Sequence, residues 1–268
     1  MHDPDQKILP AADWASRSVL LCSDIHLSDA SPLLTRAFCA WIEGVSQRIQ
    51  PESLFILGDL FDAWVGDDVL ESGQSQCAQT IANLLELQAL KGIRIGLMHG
   101  NRDFLMGERF ARRCKAQWLD DPCVLKMPSG LTVALTHGDH LCTQDLDYQA
   151  FRKQVRTAAW QHDFLAQPIA QRLEVANRLR SQSEHEKKIK SMEIMDVTLT
   201  EAESLAQRLH ADILLHGHTH RPGCSLMSNG KKRWVLPDWE VNASGELCRG
   251  GGLLIDSRGV EVINAARV

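Results

Sequence analysis

The chain has no C-x-x-C pair, no surplus of positive charge, and no apolar run near the roughly 18 residues that a membrane-spanning helix needs. Each absence excludes something. Eight cysteines, Cys22, Cys39, Cys77, Cys114, Cys123, Cys142, Cys224 and Cys248, stand without the Cys/His spacing of a zinc site. They read as reduced thiols of a cytosolic protein, mostly filling core. A formal net charge of −5 supplies no field to gather a phosphate backbone, so no nucleic-acid partner is expected. The first residues lack a basic stretch followed by an apolar one, so neither export nor membrane crossing is expected. No internal repeat, low-complexity tract or Pro/Gly/Ser-rich linker divides the chain. Residues 1–268 are expected to form a single domain, a length sufficient for one α/β core with an insertion.

What is present is a set of apolar runs with β-branched content: SVLLCSDIH, SLFILGD, IRIGLMHGNRD, LTVALTHGD and DILLHGHTH. Each ends in a Gly/Asp/Asn/His cluster, the pattern of a buried strand covered on both faces. Between them LLTRAFCAWIEGVSQRI and CAQTIANLLELQALKG carry helical spacing, the second stopping at Gly92. Alternating strands and helices predict a layered α/β fold. From about 142 to 208 strand signals vanish and apolar residues recur in a helical rhythm, which predicts a helical insertion. The runs RWVLPDW, GGLLIDS and VEVINA return to β pattern and close the fold.

The strand ends carry the chemistry. In order they are Asp24-x-His26, Gly58-Asp59, Gly100-Asn101-Arg102-Asp103, His137-Gly138-Asp139 and Gly217-His218-Thr219-His220. Carboxylate, amide and imidazole donors suit Mn, Fe, Zn or Co better than a thiolate-seeking metal. Seven ligands on one ion would leave no position for substrate, whereas two ions sharing Asp59 would. Two divalent ions set against Asp24, Asp59 and a hydroxide leave net positive charge, which attracts a phosphoryl group. Metal-lowered water acidity then supplies a hydroxide nucleophile at neutral pH.

The order D-x-H, G-D, G-N-R-D, H-G-D, G-H-T-H resembles that of the calcineurin-like metallophosphoesterases. Longer stretches, ILGDLFDAWVGDD, HGNRDFLMGERFAR, HGDHLCTQDLDYQAFR, MEIMDV and LLHGHTHRP, are similar to one member family, the UDP-2,3-diacylglucosamine diphosphatases of lipid A biosynthesis. The resemblance implies a two-sheet β-sandwich flanked by helices, with a helical lid. It implies two Mn²⁺ ions, one held by Asp24, His26, Asp59 and His220, the other by Asp59, Asn101, His137 and His218. Catalytic roles fall to Asp59, Asn101, Arg102 and His137. Asn101, Arg102, Asp145, Ser183, Lys187, Lys190 and His218 are implied substrate contacts. The implied reaction splits UDP-2,3-diacylglucosamine into UMP and 2,3-diacylglucosamine 1-phosphate by attack of hydroxide at the α-phosphorus. Much of the superfamily has His where Arg102 stands; an arginine gives up no proton but its fork suits phosphate. A cytoplasmic location, peripheral on the inner face of the inner membrane, is implied by the lipid substrate, with no obligate protein partner.

Other features have plainer readings. Asp103 and Asp139 are read as supports for ligand rings or backbone, His99 and His216 as packed structural groups, and His2, His162 and His210 as surface residues; His140 and His185 stay open. Trp160, Phe164, Leu165 and Leu173 fit either a packing face or an acyl-chain wall. The basic residues Arg152, Lys153, Arg156, Arg172, Arg178, Arg180, Lys187, Lys188 and Lys190 read as a solvated face or a footprint for anionic lipid. The stretch LPDWEVNASGEL departs from the family pattern and is read as touching no predicted ligand. Rival functions are a broader phosphodiesterase on the same scaffold and a partner-binding scaffold, the latter expected to lack ligands that are present here.

Overall fold

A computed structural model describes residues 16–189, 196–242 and 244–267, with the side chains of 182–189 and 267 outside that description. In chain order the elements are β1 (Val19–Cys22), α1 (Pro32–Arg48), β2 (Ser53–Leu57), α2 (Gln76–Leu90), β3 (Arg94–Met98), α3 (Glu108–Arg113), β4 (Ala116–Trp118), β5 (Cys123–Lys126) and β6 (Thr132–Thr136). Four helices follow, α4 (Leu146–Val155), α5 (Ala158–Leu165), α6 (Ile169–Ile189) and α7 (Leu199–Arg208). Then come β7 (Ile213–His216), β8 (Gly223–Leu226), β9 (Lys232–Val235), β10 (Glu240–Val241), β11 (Leu247–Arg249), β12 (Gly251–Asp256) and β13 (Gly259–Asn264). The five apolar runs become β1, β2, β3, β6 and β7. The predicted α2 is capped by Ser75, whose hydroxyl accepts from Ala78 N at 3.1 Å, and gives way to Gly92 at φ +94°.

Strand order is β13-β12-β1-β2-β3-β4 in one sheet and β5-β6-β7-β9-β8 in the other, with β10 and β11 forming a small ribbon. Alternation along the strands builds the layers. Val19, Leu21, Phe55 and Leu57 meet Val133, Leu135, Ile213 and Leu215 between the sheets. Their neighbours Leu20, Cys22, Leu54 and Ile56 turn the other way, onto Phe38 and Ile42 of α1 and Ile81 and Leu85 of α2. Behind the second sheet Ala134 and Leu214 pack on Ala202, Leu205 and Ala206 of α7. Each large apolar side chain contributes on the order of 1.5–3 kcal/mol by leaving water, so a one-residue slip in register would be costly on both faces. The result is the predicted helix-flanked two-sheet sandwich.

Register positions the chemistry. β1, β2 and β3 run parallel, and so do β6, β7 and β9, so the loops leaving these strands share one edge of each sheet. Of the helices after β6, α7 is the outer layer of the second sheet, while α5 and α6 reach the first core through Phe164, Trp160, Ile169 and Val175. Trp160 and Phe164 stack at 4.8 Å and Phe164 is buried, so these two serve packing. Leu165 and Leu173 remain outward, 41% and 40% exposed.

Among the described basic residues of this segment Arg152, Arg156 and Arg172 turn inward, while Lys153, Arg178 and Arg180 keep to the expected solvated face. Arg152 donates to Asp139 at 2.7 Å, Arg156 donates to the Gly100 carbonyl at 2.8 Å, and Arg180 pairs with Asp62. Arg172 is buried at 2% exposure and pairs with Asp68. Burying a guanidinium demands an anion beside it, and each inward-turned arginine has found an acceptor. Lys153 and Arg178 are exposed, and the Lys187, Lys188 and Lys190 side chains lie outside the described residues. No helix among the described residues is long and apolar enough to cross a membrane.

Candidate metal centre

The loops at the strand ends are bound to one another before any side chain is considered. Ile25 N and His26 N both donate to the Asp59 carbonyl, at 2.9 and 3.0 Å, and Gly217 N donates to the His137 carbonyl at 3.0 Å. Asp24, His26, Asp59, His218 and His220 all adopt left-handed backbone, with φ of 54°, 54°, 53°, 66° and 54°. Among the described residues outside the centre, the positive-φ non-glycine residues are Gln50, Lys115 and His210, each just past a helix end, where that conformation is ordinary. Backbone strain therefore concentrates on five of the predicted ligands, as expected where a site over-determines its geometry.

Two glycines are required by close approach. A Cβ at Gly100 would lie 2.1 Å from Asp59 Oδ1, and one at Gly217 would lie 2.3 Å from Asp24 Oδ2. Asp103, fully buried, accepts from the amides of Gly100 at 2.8 Å, Leu60 at 2.7 Å, and Asp59 and Phe61 at 3.3 Å. One carboxylate thus fixes both loops that carry Asp59 and Asn101.

All seven predicted ligands converge. His26 Nε2 faces His220 Nε2 at 3.2 Å, and His220 Nε2 lies 3.5 Å from Asp24 Oδ1. Asp59 Oδ2 is 3.8 Å from His26 Nδ1, and its Oδ1 is 3.8 Å from His137 Nε2. Asn101 Oδ1 lies 2.8 Å from His218 Nδ1 and 3.0 Å from His137 Nε2. Asp59 stands between the two groups, and the sets Asp24/His26/His220 and Asp24/Asp59/His137 each bring ligand atoms within 4.8 Å of one another.

The residues present fit divalent cations. His137 Nδ1 donates to the Leu57 carbonyl at 2.9 Å, so Nε2 is the nitrogen that presents a lone pair once the ring is neutral, the form that a cation binds. That lone pair faces the Asn101 amide oxygen, an arrangement of two acceptors that a shared cation satisfies. Burial also sets three carboxylates, Asp24, Asp59 and Asp103, at 2% exposure or less in one place. Burial raises Asp59 to about 7, with Asp103 and Asp24 adding to the shift. Burial alone would lower His137, but Asp59, Asp24 and Asp139 carry it up to about 9. Against its burial, Asp24 is held well below the usual carboxylate range by a hydrogen bond to His220 and by the charge of His137. His218, buried and near His137, falls to about 3 and stays a neutral donor.

The remaining predicted residues are placed as follows. The Arg102 guanidinium lies 3.6 Å from Asp62, near the rim. Asp145 caps α4, accepting from Tyr148 N at 3.2 Å. Ser183 and Lys187 fall on α6 with side chains outside the described residues, as are Lys190 and the His185 side chain. His99 stacks on Trp118 at 4.1 Å and donates to the Met106 carbonyl; His216 donates to Gly217 O and accepts from Arg233 at 2.8 Å. Asp139 binds no predicted ligand ring; it accepts from Tyr148 Oη at 2.6 Å and from Arg152, anchoring α4. His140 sits near Thr136, Asp121 and Asp139.

One expectation fails. LPDWEVNASGEL does touch the ligands: Asp238 Oδ2 is 3.5 Å from His220 Nδ1, and Trp239 N donates to the Asp24 carbonyl at 3.2 Å. The sequence shows Asp238 just after an apolar run, as the other strand-end acids are, but not that β9 lies parallel beside β7, which is what brings Asp238 to His220. Asp62 was missed for want of any metal-binding pattern around it.

A sandwich whose parallel strand ends hold such a donor set defines a metallophosphoesterase, and residues 17–222 match the calcineurin-like phosphoesterase family model: the chain belongs to that family. Within it, the chain is 41% identical over 245 residues to the UDP-2,3-diacylglucosamine hydrolase of Bordetella parapertussis, covering 90% of this chain and 92% of the relative. It is 42% identical over 229 residues to the protein of that name from Aromatoleum aromaticum, covering 84% and 91%. Among solved structures it resembles a dimetal phosphatase from Danio rerio, 11% identical with a TM-score of 0.48, over 94% of this chain and 99% of that one.

Proposed function

We propose that this chain, folding as one domain, hydrolyses the pyrophosphate bond of UDP-2,3-diacylglucosamine to UMP and 2,3-diacylglucosamine 1-phosphate. The observation that carries the reading is the convergence of all seven predicted ligands in a chain 41% identical, over nine-tenths of its length, to hydrolases named for that substrate. Asp24, His26, Asp59 and His220 would hold one ion, and Asp59, Asn101, His137 and His218 the other. The donor set suits Mn²⁺ among first-row ions. Such ions supply positive charge to the phosphoryl oxygens and make water acidic enough to react at neutral pH.

The chain's own groups do the rest. The Leu57 carbonyl fixes the His137 ring by its Nδ1 proton, and Asp238 lies where it orients His220. Arg102 presents a planar, permanently charged fork to the phosphate and holds no proton to give, so the leaving sugar phosphate departs unprotonated, as a group already acidic enough to do so. Asp145, Ser183 and Lys187 of α6, and Lys190 would grip the head groups. A cytoplasmic enzyme resting against the inner membrane would meet this acylated substrate where it resides.

The test is turnover of the acylated UDP-sugar in ¹⁸O water with Mn²⁺ by wild type, His137→Ala and Asp59→Asn. The expected label is in UMP, with both variants losing about 10³-fold or more in rate. Label in the sugar phosphate overturns the point of attack. Equal turnover of a plain nucleotide diester without acyl chains overturns the substrate in favour of a broader phosphodiesterase.

A further inference from the structure

The segment that follows β2 holds Arg102 at three points. The Arg102 N–H donates to Asp59 Oδ1 at 2.8 Å, its carbonyl accepts from Trp64 N at 3.1 Å, and its guanidinium lies 3.6 Å from Asp62 Oδ1. The Asp62 and Arg102 side chains are only 10% and 12% exposed, so the pair is shielded from solvent. Asp62 is itself rigidly mounted: its N–H donates to the Leu27 carbonyl at 3.0 Å, beside a Leu27–Phe61 bridge that ties the loop to the one carrying His26.

The second Asp62 oxygen takes Arg180 of α6. About two turns earlier on the same helix, Arg172 binds Asp68 and the Val65 carbonyl. Two arginines of α6 therefore dock on the segment that follows β2, and one of them shares its carboxylate with the arginine at the rim of the metal centre. Ser183 and Lys187 stand one and two turns beyond Arg180 on this helix.

We infer that Asp62 is a positioning residue: it aims Arg102 at the phosphate and links that aim to the seating of α6, the helix that bears the substrate-gripping residues. The link rests on the function proposed above. Without the Asp62 charge both guanidiniums lose their shared anion, so the aim of Arg102 and the seating of α6 weaken together. A shift of an ångström in a charged group that contacts the reacting phosphate costs about 10²-fold in rate.

The test compares wild type, Asp62→Asn, Asp62→Glu, Arg180→Ala and the Asp62→Asn/Arg180→Ala double variant, all Mn²⁺-loaded. Substrates are UDP-2,3-diacylglucosamine and bis(p-nitrophenyl) phosphate, a diester with no head group for α6. Asp62→Asn is expected to lower kcat about 10²-fold on both at unchanged metal content, and Asp62→Glu to recover most of it. Arg180→Ala is expected to cost about tenfold on the UDP-sugar alone, and to add little to Asp62→Asn. Hydrogen exchange across α6 should quicken in Asp62→Asn and in Arg180→Ala.

Asp62→Asn within about twofold of wild type, or strictly additive losses in the double variant, overturns the inference. If the UDP-sugar is not a substrate of wild type, the function reading fails by itself; unchanged exchange in α6 then overturns the link independently. Arg180 is 48% exposed, so its variant reports even should Asp62→Asn fold poorly.

Discussion

Arg172, a buried arginine in the middle of the α4–α6 segment, donates through Nη1 to Asp68 Oδ1 at 3.0 Å and through Nε to the Gln167 carbonyl at 2.9 Å. Gly66 makes room for it: φ is +129°, and a Cβ there would lie 2.4 Å from Arg172 Nη1. Removing Arg172 strands the Asp68 carboxylate and the Val65 carbonyl. Arg172→Ala should destabilise the protein by about 2–3 kcal/mol in urea unfolding, less than a fully buried pair because Asp68 keeps some water. Gly66→Ala should cost a similar amount through strain and displacement of the guanidinium.

The same pair sets a pH dependence. Hydrogen bonding from Arg172 holds the Asp68 carboxyl below its ordinary value. A depressed folded pKa adds stability above the unfolded value of about 4 and loses it as pH falls through the folded one. The stability gap between wild type and Arg172→Ala should therefore be constant near neutrality and close progressively below pH ~4, as read by unfolding at stepped pH.

Chelation should reveal the metal centre thermally. Ions that bind only the folded chain stabilise it by about 2.7 kcal/mol at a hundredfold excess over Kd. For a chain of this size, stripping metal should lower Tm by roughly 5–10 °C, and Mn²⁺ should restore it. In His137→Ala the drop on chelation should shrink. Scanning calorimetry with and without chelator decides it.

Asp238 offers a finer probe. Because its carboxylate faces His220 Nδ1 and also takes Arg249 at 2.8 Å, Asp238→Ala frees the ring to turn. Affinity for the metal that His220 would hold should fall about 10–100-fold in a metal titration. Unchanged binding would mean that the ring is fixed from elsewhere.

Much of this was legible in the residues. Val19–Cys22, Ser53–Leu57 and Ile213–His216 announce themselves because strands buried on both faces need unbroken apolar runs, and Asp24, Asp59 and His218 follow them at once. What stayed hidden depends on contacts distant in sequence. Arg172 looks like one more solvated cation on a polar helix until α6 crosses the 67–70 turn and Asp68 meets it. Asp62 resembles any loop acid until two arginines, one on α6, close on it. Asp238 was passed over because β9 read as a closing strand when it is a parallel neighbour of β7.

The left-handed backbone at Asp24, His26, Asp59, His218 and His220 constrains what mutagenesis can say about them. Asn, Asp, His and Gly tolerate that conformation, whereas Val, Ile or Thr carry a steric penalty before any donor atom is lost. A scan that swaps in branched side chains would confound broken coordination with a wrenched loop. Asparagine or glycine replacements isolate the donor, and by the same logic sequence drift at these five places is channelled into a very small alphabet.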